Sequence, residues 1–197
     1  MANVRDPDQY FPNDVVSLTK DECFADVGAF DGDTIREFLA KTNSSFEKIF
    51  GIELNPVNFD LMNESTRNLP CSDRIRLINI GAWEDEREAF FSDGQSQCML
   101  GGSKGTGHVA PLDTILDGEC VTLLKMDIEG AEPHALKGAT RLIKKQKPTL
   151  AICVYHHLSH LWELPLLIKS LVPEYQFFLR HHTNLDNETV FYAKIAK

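Results

Sequence analysis

The chain of 197 residues has no hydrophobic run of the length a membrane-crossing helix needs. Its first 14 residues are polar and lack the apolar core of a signal peptide, so a cytoplasmic location is expected. Basic residues are also scarce: 20 Lys and Arg stand against 29 Asp and Glu, giving a net charge of −9. Nucleic-acid binders held through phosphates need a basic face, so no nucleic-acid partner is expected. The one basic cluster, Lys144, Lys145 and Lys147, reads as a helix C-terminus complementing its dipole. Cysteines in metal-site spacing are missing as well. Cys23, Cys71, Cys98, Cys120 and Cys153 stand apart, and Cys23 and Cys153 fall in apolar strand patterns where a thiol acts as a small hydrophobe. No internal repeat or long linker divides the chain, and 43% hydrophobic residues suffice for one core. The expectation is an N-terminal helical segment over 1–20 packed on a single domain over 21–197.

The Gly-x-Gly-x-x-Gly fingerprint of dinucleotide-binding proteins is missing too, though something near it is present. The stretch Asp26, Val27, Gly28, Ala29, Phe30, Asp31, Gly32, Asp33, Thr34 follows a buried-looking run and precedes Ile35, Phe38 and Leu39 at helical spacing. This is a strand-to-helix turn with Phe30 where a pyrophosphate would need glycine, which speaks against a nicotinamide oxidoreductase. Its carboxylates Asp26, Asp31 and Asp33 repel phosphates, and suit a ligand that carries an ammonium and a sulfonium, as S-adenosyl-L-methionine does. The same aspartates could equally cap a helix and solvate a turn.

A second apolar strand ends at Glu53, 21 positions after Gly32, the spacing of a carboxylate that accepts hydrogen bonds from a ribose. Leu54 and Asn55 follow it, and Pro56 suits the first turn of the next helix. A third strand ends abruptly in Lys125, Met126, Asp127, Ile128, Glu129, Gly130, Ala131, Glu132. Taken in order, these three blocks, with Leu136, Lys137, Gly138 and Ala139 after them, resemble the FkbM family of S-adenosylmethionine-dependent methyltransferases. The resemblance spans about residues 10–193 and is most distinctive over 127–132, while Trp83 and the Gly-rich segment after Ser92 are less typical.

Strands are expected near 22–27, 48–53, 75–80, 121–127 and 149–155, and helices near 33–41, 56–68, 132–146 and 158–171. Segments 175–179 and 189–193 read as a C-terminal antiparallel hairpin. The fold class is thus α/β, doubly wound and mostly parallel; the resemblance implies the seven-stranded, Rossmann-like methyltransferase sheet. Residues 92–111, with Gly94, Gly101, Gly102, Gly105 and Gly107, show no period and read either as a substrate loop or lid or as a solvated hairpin connection with no ligand role.

Ligands of such sheets sit beyond the carboxyl ends of the strands. The candidate cofactor residues are therefore Asp26, Gly28, Ala29, Phe30, Gly32, Asp33, Thr34, Glu53, Leu54, Asn55, Gly81, Ala82, Trp83 and Asp127. Trp83 could cover an adenine or simply pack on the surface. For moving an acceptor's proton, His156 comes first because imidazole titrates near neutral pH, followed by Glu129 and Asp127. His156, His157 and His160 raise a divalent metal, with Asp127, Glu129 and His156 as ligands, but spacing alone is weak and no metal is favoured. The resemblance implies O-methylation of a sugar, glycan or natural-product acceptor; a catalytically silent cofactor- or partner-binding module is the alternative. Neither acceptor nor oligomeric state is written in the sequence.

Overall fold

The computed structural model describes residues 6, 8–94, 97–100 and 105–196. Its main sheet contains β1 (Cys23–Val27), β2 (Lys48–Ile52), β3 (Ile75–Ile78), β8 (Leu123–Met126), β9 (Thr149–Cys153), β10 (Gln176–His181) and β11 (Thr189–Lys194). Their spatial order is β10-β11-β9-β8-β1-β2-β3. All neighbours pair in parallel except β11, which runs antiparallel to both β9 and β10. Chain order reverses where β1 lies between β2 and β8, which is the switch point at which such sheets bind ligands. The seven expected strands are all present.

Strands buried on both faces explain the near-continuous apolar runs. Phe24, Ile49 and Leu123 point to one core, shared with Ile35 and Phe38 of α1 (Asp33–Lys41) and Met62 of α2 (Pro56–Thr66). Ala25, Phe50 and Leu124, one residue on, point to the other core. There they meet α4 (Glu132–Lys137), α5 (Thr140–Gln146) and α6 (His160–Leu171), through Leu136, Ile143 and Ile168. Phe11, Phe24 and Phe38 cluster with ring centroids 4.7 to 5.8 Å apart.

Three expectations need correction. The helix expected over 132–146 is broken into α4 and α5 at Gly138, because Asp113 intervenes: its carboxylate accepts from the Arg141 and Leu142 amides at 2.8 and 2.7 Å and so starts a new helix. A Cβ on Gly138 would lie 2.0 Å from the carbonyl oxygen of Trp83, and its own carbonyl accepts a hydrogen bond from Asp113. The described part of the N-terminal segment is a run of turns rather than a helix: Gln9 donates to Asp6, Phe11 to Asp8, and both Val15 and Val16 to Pro12. It does pack on the sheet, but by burying the adjacent pairs Tyr10 with Phe11 and Val15 with Val16, which no single helical stripe can do.

The third correction concerns the Gly-rich stretch. A second sheet, ordered β4-β7-β5-β6, is built from β4 (Gly81–Ala82), β5 (Arg87–Gly94), β6 (Gln97–Leu100) and β7 (Gly105–Ala110). Two of its glycines make room for neighbours: a Cβ on Gly105 would meet the Phe91 ring at 2.6 Å, and one on Gly107 would meet Leu54 at 2.5 Å. Residues 101–104, with Gly101 and Gly102, lie outside the described part. The short α3 (Leu112–Ile115) leads from this sheet to β8. Among the described residues no helix is long and apolar enough to cross a membrane.

Candidate active site

A cavity of about 360 Å³ opens over the carboxyl ends of β1, β2 and β8. Its floor is the turn after β1. Gly28 has φ +77°, and a Cβ there would lie 1.9 Å from the carbonyl oxygen of Asp127, so strand β8 passes too close for any side chain. Gly28 and Ala29 donate their amides to Ile52 at 2.9 and 3.1 Å, tying the turn to β2. Phe30 follows at φ +49°, a costly conformation for an aromatic residue, and its amide donates to Glu53 Oε2 at 2.9 Å. Gly32, at φ +82°, opens α1.

Glu53 is nearly buried at the end of β2. Burial pushes its carboxyl above the usual range, while amide donors Asn55 and Phe30 favour the charged form. The Asn55 amide reaches Oε1 at 2.8 Å, so both oxygens are oriented with lone pairs to spare. Asn79 donates to the carbonyls of Glu53 and Leu54 and so steadies the same corner.

Beneath the turn, Asp26 faces Lys125 at 2.9 Å, both side chains almost fully buried. Burial pushes the Asp26 carboxyl up to about 6, against the pull of Lys125. Burial likewise opposes the Lys125 charge, but Asp26 and Asp127 outweigh it and raise its pKa. The ammonium also donates to the Gly28 carbonyl at 2.7 Å, so the pair braces the glycine turn from below.

Asp127 ends β8 and is gripped by two phenols, Tyr10 at 2.8 Å and Tyr155 at 3.3 Å. Glu129, two residues on, sits at φ +57° beside Gly130 at φ +98°, a second strained spot on the rim of the same cavity. His156 lies just behind: its Nε2 is 3.4 Å from Asp127 and 3.3 Å from Glu129, and its Nδ1 is 3.0 Å from Glu132. Burial by itself disfavours the imidazolium, yet Glu129, Glu132 and Asp127 win and push the pKa of His156 up to about 10.

Of the sequence candidates, Gly28, Phe30, Asp33, Thr34, Glu53, Leu54, Gly81, Ala82, Asp127 and Glu129 line the cavity. Asp26, Ala29, Gly32, Asn55, Trp83 and His156 do not. Asp26 and Ala29 are buried beneath it, and Asn55 caps α2 by accepting from the Val57 amide. Asp31 of the acidic turn is held by Arg36 at 3.0 Å. The Trp83 indole stacks on His134, with centroids 3.9 Å apart, while Arg87 lies 5.1 Å from the ring, so an adenine-covering place is not where it sits. His156, chosen because imidazole titrates near neutrality, lies behind the cavity wall, where the surrounding carboxylates move its pKa up to about 10.

Sequence reasoning missed Tyr10, Asn58, Ile80, Asn187 and Glu188 as cavity walls. Tyr10 and Glu188 come from far ends of the chain, and no local pattern marks them. Tyr155, at the end of β9, is reached by the same strand-end rule as its neighbour His156, and it does line the cavity. Lys125 belongs to the third block, but its sequence surroundings give it no role.

Comparison with known proteins accords with this geometry. The model of the methyltransferase FkbM domain matches residues 26–184, and the chain belongs to that family. The crystal structure of methyltransferase FkbM from Methylobacillus flagellatus superposes with a TM-score of 0.82 at 32% identity, over 95% of this chain. It covers 47% of that protein, so the present chain spans about half of its length. Precorrin-6y C5,15-methyltransferase from Geobacter metallireducens shares the fold at 11% identity and TM-score 0.59, over 96% of this chain and 85% of its own. Fibrillarin from Aeropyrum pernix, solved with natively bound S-adenosyl-L-methionine, does so at 12% identity and TM-score 0.57, over 94% of this chain and 72% of its own. Among curated proteins nothing matches.

Proposed function

We propose that the chain binds S-adenosyl-L-methionine in the cavity over β1, β2 and β8 and transfers its methyl group to a hydroxyl of a sugar, glycan or natural product. The observation that carries the cofactor is Glu53: a carboxylate at the end of β2, fixed by the Phe30 and Asn55 amides, on the wall of a cavity whose turn has no open glycine for a pyrophosphate. Among the described residues the walls add Asp33, Asp127, Glu129 and Glu188 and a single cation, Lys125, which Asp26 already engages. Such a lining attracts an ammonium and a sulfonium and repels phosphates. Family membership and the S-adenosyl-L-methionine held by fibrillarin on the same fold support the same cofactor.

Methyl transfer is an in-line displacement on a carbon the cofactor has already activated, so the protein must align the acceptor and accept its proton. Glu129 suits the second role, because it faces the cavity, whereas His156 lies behind it and does not line the cavity. The phenols of Tyr10 and Tyr155, with Asn187 and Glu188, supply donors and acceptors for a polyhydroxylated acceptor and a poor surface for an anionic one.

Glu53→Ala is expected to weaken S-adenosylhomocysteine binding by about 1.5 to 3 kcal/mol, the range for hydrogen bonds to a charged group. Calorimetry on the folded variant reads it, with Trp83→Ala, away from the cavity, expected to stay within about twofold of the wild type. An unchanged dissociation constant in Glu53→Ala would remove the ribose role.

A further inference from the structure

We propose that Asp127, Glu132 and His156 form a binding site for one divalent transition-metal cation, of the Mn²⁺ or Zn²⁺ kind, at the edge of the cavity. Each of the three offers a ligand atom within 4.8 Å of the others, and they come from three different elements: the end of β8, the start of α4 and the segment after β9. Ligands set on separate rigid elements converge only because the fold brings them together, which distinguishes this cluster from acids scattered on a surface.

A second observation is independent of the clustering. The Glu132 side chain is wholly buried and that of His156 is 8% exposed. Even so, Glu132 Oε2 and both ring nitrogens of His156 find no hydrogen-bond partner, although carboxylate oxygens lie 3.0 to 3.4 Å from the ring nitrogens. A cation would take one ring nitrogen, the imidazole giving up its proton, together with a Glu132 oxygen, and leave the other ring nitrogen to donate to the carboxylate beside it. Glu132 is already anchored, because its Oε1 accepts the Ile128 amide at 3.0 Å.

Charge points the same way. Around one imidazole stand three carboxylates, Asp127, Glu129 and Glu132, and among the described ion pairs only histidines face them. Lys125, the nearest lysine in the cavity wall, is engaged by Asp26 and by the Gly28 carbonyl. A divalent cation cancels most of that excess. One imidazole with carboxylate oxygens is a mixed nitrogen and oxygen set, which suits Mn²⁺ or Zn²⁺ better than Mg²⁺ or Ca²⁺. Asp127 is also a wall of the cavity, so an occupied site would put a cation at its edge; that consequence alone rests on the cofactor reading above.

The test needs no cofactor and no acceptor. Chelator-stripped whole chain is titrated by calorimetry with MnCl₂, ZnCl₂ and MgCl₂, and its thermal unfolding is followed with and without Mn²⁺. The expected result is one saturable site for Mn²⁺ or Zn²⁺, weaker binding of Mg²⁺, and a higher unfolding temperature with the metal. Glu132→Gln, whose amide oxygen can still accept from Ile128, and His156→Asn are each expected to lower affinity at least tenfold. His134→Ala, at the Trp83 stack, should leave it unchanged. Absence of saturable binding in the wild type overturns the proposal whether or not the variants fold, and so does equal affinity in folded Glu132→Gln and His156→Asn. Because cofactor is absent, either result leaves S-adenosylmethionine binding to be decided separately.

Discussion

Lys125→Met is expected to destabilise the fold by about 3 to 5 kcal/mol, the cost of leaving a buried carboxylate without its partner. Asp26 has no exposed surface, and the Lys125 ammonium 2.9 Å from its Oδ1 is the charged donor that offsets its burial. Methionine matches the length of lysine, so the loss isolates charge from packing. The double variant Asp26→Leu with Lys125→Met removes both charges and should regain most of the loss in urea unfolding. Cofactor affinity is not expected to return with stability, because the ammonium also fixes the Gly28 carbonyl beneath the turn. A single Lys125→Met variant within about 1 kcal/mol of the wild type would show that Asp26 does not depend on the pair.

Glu129→Gln should lower turnover by about 10²- to 10⁴-fold, the contribution of a general base, with S-adenosylhomocysteine affinity within about twofold. Glutamine keeps the shape and the strained backbone at φ +57° but has no basic oxygen. The measurement is S-adenosylhomocysteine released with a panel of hydroxylated sugars and natural products under saturating cofactor. His156→Asn gives the contrast: a residue that lies behind Glu129 and touches it acts through its neighbours, so the two variants should differ in their pH profiles. Wild-type rates in Glu129→Gln on an accepted substrate would end its assignment as base.

The sheet was legible because its strands are buried on both faces. The run from Cys23 to Val27 and the run from Lys48 to Ile52 are apolar almost throughout, bounded by a glycine turn and a proline that begins a helix. The turn and Glu53 could be found together because their spacing brings both to the ends of neighbouring strands, where they line one cavity. The second sheet was not legible. Gly105 and Gly107 carry no side chain to register the two-residue period, their sites being filled by Phe91 and Leu54 from elsewhere in the chain. The break at Gly138 is the same problem in a helix, since Asp113, which takes up the hydrogen bonds there, lies 25 positions away.

At the site, sequence located residues better than roles. Asp26 and Asp33 look alike in the motif, yet one is buried under the turn against Lys125 and the other faces the cavity. His156 stands out in the sequence because of its ordinary titration range, which three surrounding carboxylates move to about 10. Tyr10 reaches Asp127 across 117 positions, a contact that only the folded chain creates.

The acidic cavity is expected to take a sulfonium cofactor rather than a dinucleotide. Isothermal calorimetry of the purified chain with S-adenosyl-L-methionine, S-adenosylhomocysteine and NAD in one buffer decides between them. Saturable one-to-one binding of the first two, with none for NAD, is the expected result. Tighter binding of NAD than of S-adenosylhomocysteine would contradict it.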